Sequence, residues 1–237
     1  MNDCESRCKE AIEQLNGVAC DPSLCKAIIA QMDQYCHHQG LAAGTPVPQF
    51  QDGKICYCCC GCVIGEALVA SSEDEFVYMR DLSEGDSVLV YDLDLRCKPC
   101  VVNFVSGPTM HESAGPLRLI AFEYGSETRR LVVTPEHMFL MHGGKLKSAQ
   151  QLAAGDELQR ADGGTSRVKD ARAYEDEANV YHIGVAASGA EGPDGRLINI
   201  NGVLCGDFGL QLSYFAGHIA KAVQEPLSPD RQHDAIQ

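Results

Sequence analysis

The sequence predicts a mainly β protein with a helical piece at either end, and three observations support this. The middle of the chain is a series of short β-branched and aromatic runs with turn signals between them: Phe76-Val77-Tyr78-Met79, Ser87-Val88-Leu89-Val90-Tyr91, Val101-Val102-Asn103-Phe104-Val105, Leu117-Arg118-Leu119-Ile120-Ala121-Phe122, Arg130-Leu131-Val132-Val133 and Val180-Tyr181-His182-Ile183-Gly184-Val185. No long helical period interrupts them between Ala70 and Val203. Leu82 to Leu89 and Leu152 to Leu158 echo one another: a Leu, a Gly-Asp pair, then an apolar strand. Each Gly-Asp suits a turn, with Gly free to take positive φ and Asp bonding locally. An echo of this kind implies two similar halves.

The flanking segments differ in kind. In residues 1–55, Cys4 to Leu15 reads as an amphipathic helix closed by Asn16-Gly17. A second helix starts at Asp21-Pro22-Ser23, with Asp21 as cap and Pro22 in the first turn, and runs towards Cys36. Cys4 and Cys8 lie one turn apart, and Cys20 and Cys25 roughly so, which suggests a disulfide-stapled helical hairpin. A unit this small needs staples. His37-His38 reads as a solvated helix end in preference to a metal site. Gly40 to Gly53, rich in Pro, Gly and Gln, reads as a linker. At the other end, Leu210 to Val223 carries an apolar stripe and reads as one helix docked on the β core, and the tail beyond Pro226 reads as disordered.

Cys56-Tyr57-Cys58-Cys59-Cys60-Gly61-Cys62 packs five cysteines into seven residues. Three readings stand, in this order. The first is structural disulfides to the N-terminal region. The second is a redox latch, with Cys59 or Cys60 paired to Cys62 until reduced. The third is a thiolate metal cluster. Adjacent cysteines rarely pair with each other, and the spacing fits no tetrahedral zinc pattern.

Cys62 heads an apolar run, and Thr134 and His137 stand three apart at the end of a much later one. Taken singly, each is an ordinary core residue: a small buried thiol, or a hydrogen-bonded histidine. Taken together they suit a specific reaction. A thiol beside the Gly61 carbonyl can take over its acyl group and convert an amide into a thioester. The shift is uphill and needs a proton on the leaving nitrogen, which His137 can supply. Thr134 is a hydrogen-bonding partner. Gly61 leaves its carbonyl unhindered and tolerates unusual dihedrals. The thioester then waits for a nucleophile.

The chain from Cys62 to about Phe208 resembles the Hint domain, the autoprocessing module shared by inteins and hedgehog proteins. Five blocks carry the resemblance in order: Cys62 to Val69, Arg80 to Leu89, Leu131 to Leu140 with its Thr-x-x-His, Lys147 to Leu158, and Asn199 to Leu204 as a closing strand. The resemblance implies a pseudo-two-fold β horseshoe over 56–208, preceded by the Cys-rich hairpin of 1–55 and followed by a helix and tail over 209–237. It implies self-cleavage between Gly61 and Cys62, with Cys62, Thr134 and His137 as the catalytic set and the protein's own N-terminal segment as substrate.

The departures shape the expected outcome. Splicing inteins end in His-Asn, followed by a nucleophile. Here the place reads Leu204-Cys205-Gly206-Asp207-Phe208, so upstream cleavage without splicing is expected. Asp207 is a poor stand-in for the cyclising Asn. Hedgehog-type domains pass the thioester to a sterol hydroxyl activated by an Asp, and Cys100 stands near that place. Water, a thiol, an amine or a sterol is then the external acceptor. Cys205 is a second candidate, as acyl acceptor or disulfide partner of Cys62, against its reading as a buried core thiol. A role for the C-terminal helix in lipid or sterol recognition follows the same analogy. The reaction calls for no cofactor and no metal.

The 237 residues allow two domains, one of them large enough for its own core. A net charge of −14 argues against nucleic acid and anionic membranes as partners. No apolar run of about 18 residues predicts a transmembrane helix. The first residues do not read as a signal peptide, whereas 13 cysteines suit an oxidising compartment. An odd count leaves at least one cysteine unpaired, and Cys62 is the natural candidate. Two other classes remain open: an inactive Hint-like extracellular Cys-rich binding module, and a thiolate metal-binding protein.

Overall fold

A computed structural model describes residues 46–48, 55–57, 62–110, 117–176, 178–186 and 193–215. The expected helical hairpin, most of the cysteine run including Gly61, and the tail after Pro226 lie outside these residues. β1 (Pro46–Pro48), within the stretch read as a linker, pairs antiparallel with β2 (Ile55–Tyr57), which reaches into the start of the cysteine run. Proline fixes φ in the extended region, so Pro-Val-Pro is compatible with a short edge strand as well as a linker.

The rest is mainly β, as expected. Its strands are β3 (Val63–Ile64), β4 (Leu68–Ala70), β5 (Phe76–Tyr78), β6 (Ser87–Tyr91), β7 (Cys97–Met110), β8 (Leu117–Tyr124), β9 (Glu127–Val133), β10 (Met138–Leu140), β11 (Leu146–Ser148), β12 (Glu157–Gln159), β13 (Thr165–Tyr174), β14 (Asn179–Val185), β15 (Leu197–Ile200) and β16 (Val203–Gly206). They form one curled sheet in the order β11-β10-β16-β15-β6-β7-β14-β3-β9-β8-β13-β12, with β4 joining β15 to β5. Every pairing is antiparallel. A main core cluster runs through the sheet and includes Val63, Val88, Phe122, Phe139, Leu158 and Ile198.

The two halves repeat each other bond for bond. Ser83 N donates to Asp86 Oδ2 at 2.8 Å, and Ala153 N donates to Asp156 Oδ2 at the same distance. Gly85 and Gly155 both sit at φ +95°, where a side chain would be strained. Val102 N donates to Asp86 O and Val102 O accepts from Gly85 N, as Val168 N donates to Asp156 O and Val168 O accepts from Gly155 N. The repeat extends into the segment that carries the site. Met79 N donates to Ala67 O, and Ala149 N donates to His137 O; Arg80 N reaches Gly65 O, and Gln150 N reaches Pro135 O. The turn holding Thr134 and His137 is thus the counterpart of the turn that follows Cys62.

Two boundaries differ from the expected ones. The block Asn199 to Leu204 is a hairpin, with β15 and β16 joined at Asn201-Gly202. Asn201 at φ +53° and Gly202 at φ +99° supply the left-handed pair that a two-residue turn requires. The C-terminal helix, α1, spans Phe208–Phe215 and so begins two residues before Leu210. Asp207 caps it, with Oδ1 accepting from Leu210 N at 2.7 Å.

Candidate functional site

Strand register builds the site. β3 lies between β14 and β9. On one side Val63 faces Val133, which brings Cys62 level with Thr134. On the other side Tyr181 faces Val63, which brings Cys62 level with His182. In antiparallel strands, residues directly opposite hold their side chains in contact on one face. Cys62 therefore meets a hydroxyl from one neighbour and an imidazole from the other.

The contacts follow this register. Cys62 N donates to Thr134 Oγ1 at 2.9 Å, and Thr134 N donates to Cys62 O at 3.0 Å. That nitrogen belongs to the Gly61–Cys62 peptide, so Thr134 holds the nitrogen of the bond expected to break. Cys62 Sγ lies 2.5 Å from His182 Nε2, which leaves no room for water between them. The ring of His182 is fixed edge-on against Phe208, with centroids 5.0 Å apart. Cys62, Thr134, His137 and His182 are all buried.

His182 is absent from the residues picked out by sequence. It sits inside an apolar strand, where a histidine reads as a core residue, and the signal that assigns it is the cross-strand register. His137 lies in the turn after β9, with its amide donating to Thr134 O at 3.1 Å. Its ring packs edge-on against Phe139, and its Nδ1 lies 3.5 Å from Gln211 Nε2 on α1.

The three accessory candidates occupy other surroundings. Cys205 on β16 is fully buried in the main core cluster, opposite Phe139 and Ile198, and forms no disulfide. Burial pushes its thiol well above the usual range, which keeps it neutral and a weak nucleophile. Cys62 belongs to a separate cluster with Leu117, Leu119, Val132 and Val180. Cys100 on β7 is half-buried and donates to Ala186 O at 3.2 Å. Ala186 is four residues along from His182, about 13 Å at the usual strand rise. Burial raises the Cys100 thiol as well.

Asp207 is committed to structure. Besides capping α1, its Oδ2 accepts from Val185 N at 3.1 Å and lies 3.8 Å from Arg196 Nη1, both side chains being buried. Burial is the largest influence on its carboxyl and raises its pKa, while Arg196 and the amides of Leu210, Val185 and Gly209 pull it down. Gly209 is required here, because a Cβ at that position would run into the Arg196 guanidinium. Glu136, between Thr134 and His137, is pushed up to about 7 by burial.

Among the described residues, no group of three or more His, Cys, Asp or Glu is placed to hold a metal ion. No helix among them is long and apolar enough to cross a membrane.

No protein-family model and no curated relative matches the chain. Solved structures similar to it include a bacterial intein-like domain from Clostridium thermocellum, with 17% identity and a TM-score of 0.49 over 62% of this chain and 98% of that one. A DnaB intein from Synechocystis sp. PCC 6803 has 16% identity and a TM-score of 0.48 over 62% of this chain and 98% of that one. The gp41-1 intein has the same identity, score and coverage.

Proposed function

We propose that this chain is a Hint-type autoprocessing protein in which Cys62 attacks the carbonyl of Gly61 and cuts its own backbone there. One observation carries the reading: the nitrogen and the sulfur of Cys62 are each held by a separate partner, Thr134 Oγ1 and His182 Nε2. An N-to-S acyl shift needs those two atoms handled separately. The thiol must lose a proton, and the nitrogen must become a leaving group.

His182 accepts the thiol proton. The thiolate attacks the carbonyl carbon, a C–S bond forms, and the C–N bond breaks as the nitrogen gains a proton. Thr134 keeps the nitrogen in place, His137 serves it as a hydrogen-bond donor, and the proton the nitrogen gains is the thiol's, handed on by His182. The thioester is then opened by water, a thiol, an amine or a sterol, and the N-terminal fragment leaves.

Two features favour cleavage at this bond without splicing. The Asp207 carboxyl is turned away into the cap of α1 and towards Arg196, so it is not aimed at its own carbonyl. The Asp207 carbonyl accepts from Gln211 N at 3.2 Å, so the next peptide bond begins a helix.

Trapping tests the reading. Hydroxylamine added to purified protein opens a thioester and leaves a hydroxamate on the released fragment. A fragment ending in Gly61 hydroxamate, absent from Cys62→Ala, is the expected result. A chain left intact by hydroxylamine and by dithiothreitol sinks the reading and leaves the inactive binding module in its place.

A further inference from the structure

We propose that Gln211, on the helix that follows the last strand, is a positioning residue that fixes His137 in its neutral form with the ring proton on Nε2. The inference rests on the autoprocessing reading for its purpose, but its evidence is the hydrogen bonding around one buried amide.

Gln211 is buried, and its Nε2 makes two contacts: 3.1 Å to Gly206 O and 3.5 Å to His137 Nδ1. A backbone carbonyl only accepts, so the amide must present its NH2 end to Gly206. Turning the amide over would place two oxygens against each other. The second hydrogen of the same NH2 group then points at His137 Nδ1, which must answer with a lone pair. A neutral imidazole has one donor and one acceptor nitrogen, so the proton sits on Nε2.

This divides the work between the two histidines. An imidazole held this way can donate a hydrogen bond from Nε2, but it has no second proton to give away. The proton that ends on the Cys62 nitrogen is then the thiol's own, taken up by His182 and handed on. One S–H and one C–N bond break while one C–S and one N–H bond form, and no proton enters or leaves. His137 weakens the amide by donating to it. The helix after the last strand is thereby part of the site, with Phe208 fixing His182 and Gln211 fixing His137. Cutting the chain at Asp207 would remove both supports.

The tautomer is measurable without any cleavage. In full-length Cys62→Ala protein labelled with nitrogen-15, side-chain spectra report which imidazole nitrogen carries the proton, and His137→Gln assigns the signal. The expected result near pH 7 is a neutral His137 protonated on Nε2. Gln211→Met keeps the volume and removes the amide; in that background the signal should move to a mixture of tautomers. In the Cys62 protein the same change should slow fragment release about 10- to 100-fold. A His137 protonated on Nδ1 or on both nitrogens, or a tautomer that ignores Gln211→Met, overturns the proposal. If the tautomer behaves as expected and the parent chain releases no fragment, the positioning role stands and the autoprocessing reading falls.

Discussion

Cys62 was legible in the sequence because a thiol ahead of an apolar run, matched by Thr134 and His137, makes a chemical pattern. His182 was not, because a histidine among Val180, Ile183 and Val185 has nothing local to mark it. Its role depends on the antiparallel register that sets it opposite Cys62. Replacing it tests the pairing: His182→Gln keeps the bulk but removes a base of suitable basicity, and should slow fragment release by about 100-fold or more, followed by intact mass over time. An unchanged rate would place the base elsewhere. Glu136 gives a prediction on stability. Burial lifts its carboxyl from 4.5 to about 7, so the folded state binds that proton more tightly than the unfolded chain does. The resulting stabilisation is fully present below pH 4.5 and is lost as the pH rises through 7. By linkage it amounts to roughly 3 kcal/mol at most. Urea unfolding of Cys62→Ala protein at pH 5 and pH 8 should show this loss, and Glu136→Gln should flatten it. Equal slopes in the two proteins would show that burial of Glu136 is not the cause.

Six strands, β5 to β9 and β14, could be read from their β-branched and aromatic content, and the two Gly-Asp turns gave away the repeat. The exceptions have physical reasons. Four of the ten residues of β13 (Thr165–Tyr174) are charged, and its burial alternates only along its first residues, so composition hides it. The closing block reads as a single apolar strand unless Asn201-Gly202 is taken as a turn. That turn also ties the halves together: Asn201 Oδ1 accepts from Leu68 N at 2.7 Å, and its Nδ2 donates to Arg130 O at 2.8 Å. A Cβ on Gly202 would collide with the Tyr124 ring at a φ of +99°. Gly202→Ala should therefore destabilise the fold by about 2 kcal/mol or more, read from denaturant midpoints. A neutral change would mean that the hairpin and Tyr124 yield easily. For α1, the notable element is its cap. Asp207→Ala removes both the cap and the buried partner of Arg196, and should cost roughly 3 kcal/mol. Asp207→Asn keeps the cap oxygen and should cost less. Equal losses would assign the whole effect to the ion pair.

Across the whole molecule, two structural halves close on each other so that β3 of the first half lies beside β9 of the second. The half-repeat explains why Thr134, far from Cys62 in sequence, arrives at it: its turn, which also carries His137, is the counterpart of the one that follows Cys62. The reversed closing hairpin then feeds directly into α1, which leans on both histidines. A chain built to splice would leave its last bond accessible to a side-chain nucleophile, whereas here Asp207 is occupied and Phe208 already lies in the helix. The central claim is therefore a single cut, upstream, made by Cys62. The most direct measurement is the intact mass of every product from full-length protein incubated with dithiothreitol, alongside Cys62→Ala. The account predicts two fragments, one ending at Gly61 and one running from Cys62 to Gln237, with the variant left whole. A break after Asp207, a ligated product, or the same fragments from Cys62→Ala would contradict it.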